Sequence, residues 1–353
     1  MSRIKKFCKY LLIHAFPARR FDKKRIRKVL WISSHGHFGD RIQGTMLPRE
    51  IKKIYPSAEI YVAAQKEFFC IFENNGDVSG TIVLPDGLVA EGKPGFSPPG
   101  LYALYRVVKE FDIVVDFPDG LPWYALFVYF FAGVKHVYQN DEACLSSCFV
   151  TFTETDFSRQ RMYTFKRLLE NMGAKAPDMS GSINPDEESS RYVCRFIKDK
   201  GLGGKKLIVF NPEAATRTKT LSVCKVKEIA TGIMNKLDWN WALIIVYYDM
   251  LYDIGAGNIY PVNVRDMGVL FSFIRSADYI ISVDTASVHI ADIFRKPMLC
   301  LYSYWYGPRD RAVNGIFWHS NQDGTITFKA DTVNDIPTED IVNSAVSAIK
   351  ELK

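Results

Sequence analysis

No apolar run in this sequence is long enough to cross a bilayer. The longest, Leu121–Val134 (LPWYALFVYFFAGV), reaches Gly133 and ends, well short of the roughly twenty residues that a spanning helix needs. It is expected to be a buried helix, or an apolar face near lipid. A cysteine framework is missing as well. The seven cysteines (Cys8, Cys70, Cys144, Cys148, Cys194, Cys224 and Cys300) are scattered and odd in number. Cys144-x3-Cys148 has neither the spacing nor the second pair of a zinc site. With no secretory signal recognised ahead of them, reduced thiols in a cytoplasmic protein are expected. No G-x-G-x-x-G follows the first expected strand, which argues against a nicotinamide-dependent dehydrogenase.

Acids are nearly missing from the first thirty residues, where Asp22 stands alone against eleven Lys or Arg. That segment carries +10 of a total of +6, so the remainder of the chain is at −4. Phe7, Tyr10, Leu11, Leu12, Ile13, Phe16 and Phe21 are interleaved with the cations. A basic, amphipathic leader over 1–27 suits an anionic membrane surface; a transit peptide and a solvated arm are the alternatives. Nucleic acid is not an expected partner.

What is present is ample core material: 48% of the 353 residues are hydrophobic and 24% charged, which fits two domains of ordinary size. Strands are expected at Lys28–Ser34, Ala58–Ala64, Gly80–Pro85 and Phe111–Phe117, with helical patterns between most of them. A Pro-, Ser- and acid-rich stretch at 176–190 interrupts the alternation. It resumes with strands at Lys205–Pro212, Trp241–Tyr248, Tyr279–Val283 and Met298–Tyr302, helices at Val223–Lys236, Met267–Ser276 and His289–Phe294, and a last helix from about Thr338. The expectation is an α/β protein: an N-terminal doubly wound domain over 28–185, a second over 186–337, a helix over 338–353, and a cleft between the two halves. Ligands of such sheets sit beyond the carboxyl ends of strands.

Three loops at those ends carry polar residues that a plain connection does not need. In SHGHFGDRIQGT (Ser34–Thr45), Gly36 and Gly39 permit tight backbone turns, and Asp40 stands at a helix start. Its carboxylate could cap that helix or act as a general base. His35 and His37 alternate faces in an extended segment, which disfavours a metal pair. In NPEAATRTKT (Asn211–Thr220), Thr216, Arg217, Thr218 and Lys219 put hydroxyls and cations ahead of a helix. That arrangement suits a phosphate as well as it suits a solvated basic loop. In ISVDTASVHIADIFRKP, Thr285, Ala286 and Ser287 would offer N–H groups at a helix start, and His289 a donor one turn in. Asp284 would hold ligand hydroxyls or loop N–H groups.

At these residues the sequence resembles the family 9 glycosyltransferases, the ADP-heptose:lipopolysaccharide heptosyltransferases. The likeness rests on Gly39-Asp40, Thr45 and LPREIKKIYPSAEI (Leu47–Ile60), on NPEA followed by Lys219, and on Ser282, Asp284, Thr285, Ala286, His289, Ala291 and Lys296-Pro297. It spans about Lys28 to Asp310. The resemblance implies a GT-B fold of two Rossmann-like domains, whose final helix packs back on the first domain. It implies inverting, metal-independent transfer of heptose from ADP-heptose to a hydroxyl of the lipopolysaccharide or lipooligosaccharide inner core, with the ADP-sugar as substrate and no cofactor. A related transferase with another nucleotide sugar or a protein acceptor, and a non-catalytic nucleotide-sugar-binding scaffold, are the alternatives. By the same resemblance Asp40 matches the general base. Thr216, Arg217, Lys219, Asp284, Thr285, Ala286, Ser287 and His289 match the donor side. Gly39, His37 and Arg41 lie on the acceptor-side loop. The acceptor would be a lipid-anchored core oligosaccharide at the cytoplasmic face of the inner membrane. Four positions depart from the family pattern: Met46 for Pro, Glu213 for Gly, Leu221 for Trp and Ala286 for Gly. A positive φ at 286 would strain its alanine by about 1 kcal/mol.

Overall fold

The computed structural model describes residues 14, 21–33, 37–84, 98–117, 125–140, 147, 149–155, 159–250, 252–254, 257–304 and 319–352. Most of the leader (1–13 and 15–20), Cys8, His35 and Gly36, residues 121–124 of the apolar run, Cys144 and Cys148 lie outside them. The chain divides into two compact units: Met1–Asp156 with Arg161–Ser182, and Phe157–Gln160 with Ile183–Lys353.

In the first unit, β1 (Lys28–Ile32), β2 (Glu59–Ala64), β3 (Gly80–Val83), β4 (Ile113–Asp116), β5 (His136–Asn140) and β6 (Val150–Thr153) form one sheet. Its order is β3-β2-β1-β4-β5-β6, and every neighbouring pair is parallel. The chain first builds outward on one side of β1, then returns to build on the other, so the loop after β1 opens at a topological switch point. Val29 and Trp31 face one side of the sheet and Leu30 and Ile32 the other, and all four are at most 1% exposed. A strand covered on both faces reads as an unbroken apolar run, as VLWI (Val29–Ile32) does.

Five helices are described in this unit: α1 (Phe38–Ile42), α2 (Leu47–Ile54), α3 (Pro98–Val108), α4 (Ala125–Phe131) and α5 (Arg161–Met172). Leu104 and Val108 of α3 pack with Ala125, Leu126 and Tyr129 of α4 against Leu30, Ile32 and Val114. The helical pattern expected between the first two strands is realised as two helices, α1 and α2. Pro48, in the first turn of α2, suits a fresh helix start. The turn between α1 and α2 passes so close to Trp31 that a Cβ on Gly44 would lie 2.7 Å from the indole ring. The leader's last residues belong to this unit's packing: Ile26 is fully buried, and Lys23 Nζ donates to the Met172 carbonyl at 2.9 Å. Packing therefore begins ahead of the boundary expected at residue 27.

The second unit repeats the plan. Its strands β7 (Lys206–Asn211), β8 (Trp241–Tyr247), β9 (Ile259–Asn263), β10 (Tyr279–Val283), β11 (Met298–Ser303) and β12 (Ile326–Ala330) run in the order β12-β11-β10-β7-β8-β9. All pairs are again parallel. The helices are α6 (Glu187–Asp199), α7 (Val223–Met234), α8 (Met267–Ser276), α9 (Ala286–Ile293) and α10 (Thr338–Glu351). The last one corrects an expectation. Ile341, Val342, Ala345, Val346 and Ile349 form a helical stripe that is buried in this unit's own core with Val226, Ile229 and Ile233 of α7. The apolar face that was to cover the first domain is thus buried within the second. Among the described residues no helix is long and apolar enough to cross a membrane.

Candidate functional site

On the first unit, α1 follows the carboxyl end of β1 and carries Asp40 in its first turn. The carboxylate is held from both sides. Oδ2 accepts the His37 backbone N–H at 2.6 Å, which satisfies a donor at the helix start. Oδ1 accepts from Arg161 Nη1 at 2.7 Å. The Asp40 side chain is 13% exposed and that of Arg161 is 5% exposed. The cap reading is therefore realised in the geometry, and a buried cation is added to it. Arg161 was not singled out from the sequence: it lies 121 positions away, and nothing local links an arginine at a helix start to Gly39-Asp40.

The neighbours of Asp40 divide. Gly39 lies inside α1, its carbonyl accepting from the Gln43 N–H, and His37 is exposed at the helix start. Arg41 turns inward. Its guanidinium lies 3.5 Å over the Phe68 ring and donates to Gln65 Oε1 at 2.7 Å, so the side chain is buried. That cation serves the interior of the unit and is not presented outward to an acceptor.

On the second unit, β7 and β10 are adjacent and Asn211 pairs with Ser282, so the loops that leave these strands start side by side. Asn211 ties them together. Its Nδ2 donates to Ser287 Oγ at 2.7 Å and to Thr285 Oγ1 at 3.2 Å, while its Oδ1 accepts the Glu213 N–H. Thr285 caps α9 by accepting the Ser287 N–H. Ser287 is thus a fully buried partner of Asn211, and its hydroxyl and N–H are both engaged. Ala286 opens the helix. The only non-glycine residue with positive φ among the described residues is Arg295, so the strain anticipated for Ala286 does not arise.

Lys219 and Asp284 meet. Lys219 Nζ is 2.6 Å from Asp284 Oδ2, with the side chains 23% and 7% exposed. The aspartate expected to hold ligand hydroxyls or loop N–H groups instead holds the lysine expected on the donor side. Thr216 and Arg217 are exposed on the turn ahead of Lys219. His289 goes elsewhere: it is buried, with Nδ1 4.0 Å from Asp292 Oδ2. Asp292 also accepts from Ser320 Oγ at 2.5 Å and from the Asn321 N–H. Burial pushes the Tyr302 hydroxyl and the Cys300 thiol up, and the carboxylates of Asp284 and Asp292 add to both shifts.

Glu213, the departure from the family's glycine, has a structural task. Its Oε2 accepts the N–H groups of Tyr248 and Asp249, and its Oε1 that of Met250. A buried carboxylate thereby closes the exit of β8 onto that of β7. Burial, working against a hydrogen bond with Asn211 and together with the Glu213 charge, pushes the Tyr248 hydroxyl up to about 12. Glu213→Gly leaves three N–H groups unpaired and is expected to cost about 2–3 kcal/mol in urea unfolding, since hydrogen bonds to a charged group are among the stronger ones. Unchanged stability would mean that water replaces the carboxylate. Leu221 and Met46, two further departures, are fully buried core residues.

No family model matches the sequence. Over 203 residues the chain is 27% identical to an Escherichia coli (strain K12) protein named "Putative lipopolysaccharide heptosyltransferase 4"; the match covers 52% of this chain and 55% of that protein. The chain thus spans about half the length of that curated relative. Among solved structures, a family 9 glycosyl transferase from Veillonella parvula DSM 2008 is similar over 95% of this chain and 100% of its own, at a TM-score of 0.71 and 17% identity. The E. coli ADP-heptose lipopolysaccharide heptosyltransferase II is similar over 92% of this chain and 99% of its own, at 0.65 and 14%. E. coli heptosyltransferase WaaC with ADP is similar over 92% and 100%, at 0.60 and 14%. The chain has the two-sheet α/β fold of the family 9 glycosyltransferases, and its resemblance to their heptosyltransferases is carried by sequence and by fold alike.

Proposed function

We propose that the protein is an inverting glycosyltransferase that moves heptose from ADP-heptose to a hydroxyl of the lipopolysaccharide or lipooligosaccharide inner core. The observation that carries this reading is the joining of the β7 and β10 loops. Lys219, the Thr216–Arg217 turn and the amino end of α9 lie at the carboxyl ends of adjacent parallel strands, where a nucleotide diphosphate is bound in such folds. The cations and the positive end of the helix dipole oppose the charge that grows on the departing diphosphate. Asp40 takes the proton of the acceptor hydroxyl as its oxygen bonds to the anomeric carbon. The bond from that carbon to the diphosphate oxygen breaks, and the electron pair leaves with ADP. The similarity to WaaC, whose solved structure holds ADP, supports the choice of nucleotide.

The purified full chain, mixed with ADP-heptose and lipooligosaccharide extracted from a heptose-deficient strain, is expected to release ADP and to add one heptose to the acceptor mass. Release of ADP with no mass gain would mean hydrolysis. Neither event with ADP-heptose, but transfer from another nucleotide sugar, would overturn the donor assignment.

A further inference from the structure

We infer that Arg161 is the positioning residue of the Asp40 carboxylate, an inference that rests on Asp40 being the base. The helix that bears Asp40 is only five residues long, and the His37 N–H fixes just one of the two carboxylate oxygens. A carboxylate held at one oxygen still turns about its own bond. The second hold comes from Arg161 at 2.7 Å, and it comes from a rigid element. Arg161 opens α5, whose Phe165, Leu168, Leu169 and Met172 are all buried, and its guanidinium lies 6.0 Å from the Phe165 ring. The pair is shielded from water at both ends, so neither partner drifts freely between solvent-exposed rotamers.

Each carboxylate oxygen accepts more than one hydrogen bond. The two donors set the plane of the group and leave lone pairs for an incoming hydroxyl. Orientation of this kind acts on the chemical step, because a reacting group displaced by about 1 Å loses on the order of a hundredfold in rate. Lysine does not substitute fully: its ammonium is a point charge without the planar fork.

In the full chain, with ADP-heptose and the lipooligosaccharide acceptor, Arg161→Ala is expected to lower kcat about a hundredfold with the KM for ADP-heptose unchanged. Arg161→Lys is expected to fall between it and the parent, and guanidinium in solution to restore part of the Arg161→Ala rate. In an Asp40→Asn background the same substitution is expected to change the residual rate less than about twofold, since no base is left to position. A parental kcat in Arg161→Ala, or an equal loss in both backgrounds, overturns the inference. If the alanine variant does not fold, Arg161→Gln carries the same comparison. If Asp40→Asn keeps the parental rate, the base reading falls first; if Asp40→Asn is inactive and Arg161→Ala is not, only the positioning role falls.

Discussion

Asp40→Asn is expected to lower sugar transfer by about 10²–10⁴-fold, the usual contribution of a positioned general base. Asparagine retains the shape and one acceptor oxygen, so the bond from the His37 N–H survives in one amide orientation. What disappears is the ability to accept a proton from the attacking hydroxyl. The same change removes the Asp40 charge from beside Arg161, whose side chain is only 5% exposed, so thermal unfolding belongs beside the rate measurement. Binding of ADP is expected to stay at the parental level, because the residues assigned to the diphosphate lie on the other unit. A variant that is folded, binds ADP and no longer transfers identifies the base. A folded variant with the parental rate would make Asp40 a helix cap with an ion pair and nothing more.

Lys219→Ala is expected to weaken ADP binding about 10- to 100-fold by calorimetry, from the loss of a charge-assisted contact of about 1.5–3 kcal/mol. The structure adds a second cause. Lys219 is held by Asp284 at 2.6 Å, and removing the ammonium leaves a nearly buried carboxylate facing the incoming diphosphate. Like charges at that distance repel strongly in a shielded site. The double variant Lys219→Ala/Asp284→Asn is therefore expected to bind ADP more tightly than Lys219→Ala alone. Additive loss in the double variant would show that Asp284 contacts the ligand favourably in its own right.

The strands of both cores were legible because they are covered on both faces. KVLWI, YIISV and MLCLY are almost wholly apolar, and the sheets use each of them as an inner strand. The strands that went unread carry weaker patterns. β9 contains Pro261 and β12 is only partly buried, and both are sheet edges, where one ladder is unpaired and proline is tolerated. β5 is an inner strand, but it carries His136 and Gln139, buried by hydrogen bonding and not by apolar character. In the candidate site, the loops and their residue types were legible while the partners were not. That Asp284 would hold Lys219, or Arg161 would hold Asp40, depends on contacts across 65 and 121 positions, which only the folded chain brings together. The inward turn of Arg41, a residue expected on the acceptor-side loop, was hidden for a similar reason: Phe68 offers its guanidinium an aromatic face, and Gln65 an acceptor.

The two units are not successive stretches of sequence. The segment Phe157–Gln160 belongs to the second unit although the first unit resumes at Arg161, and Gln160 Nε2 donates to the Ser320 carbonyl at 3.1 Å. The polypeptide therefore passes from one unit to the other three times. A chimera that exchanges domains with a related transferase at a single junction near 182 would import the body of one unit while leaving four of its residues behind, next to the arginine that grips Asp40. Swapping donor specificity by grafting thus requires three matched junctions, and a gene cut once after residue 182 yields a first half that carries four residues of the second unit and a second half that lacks them.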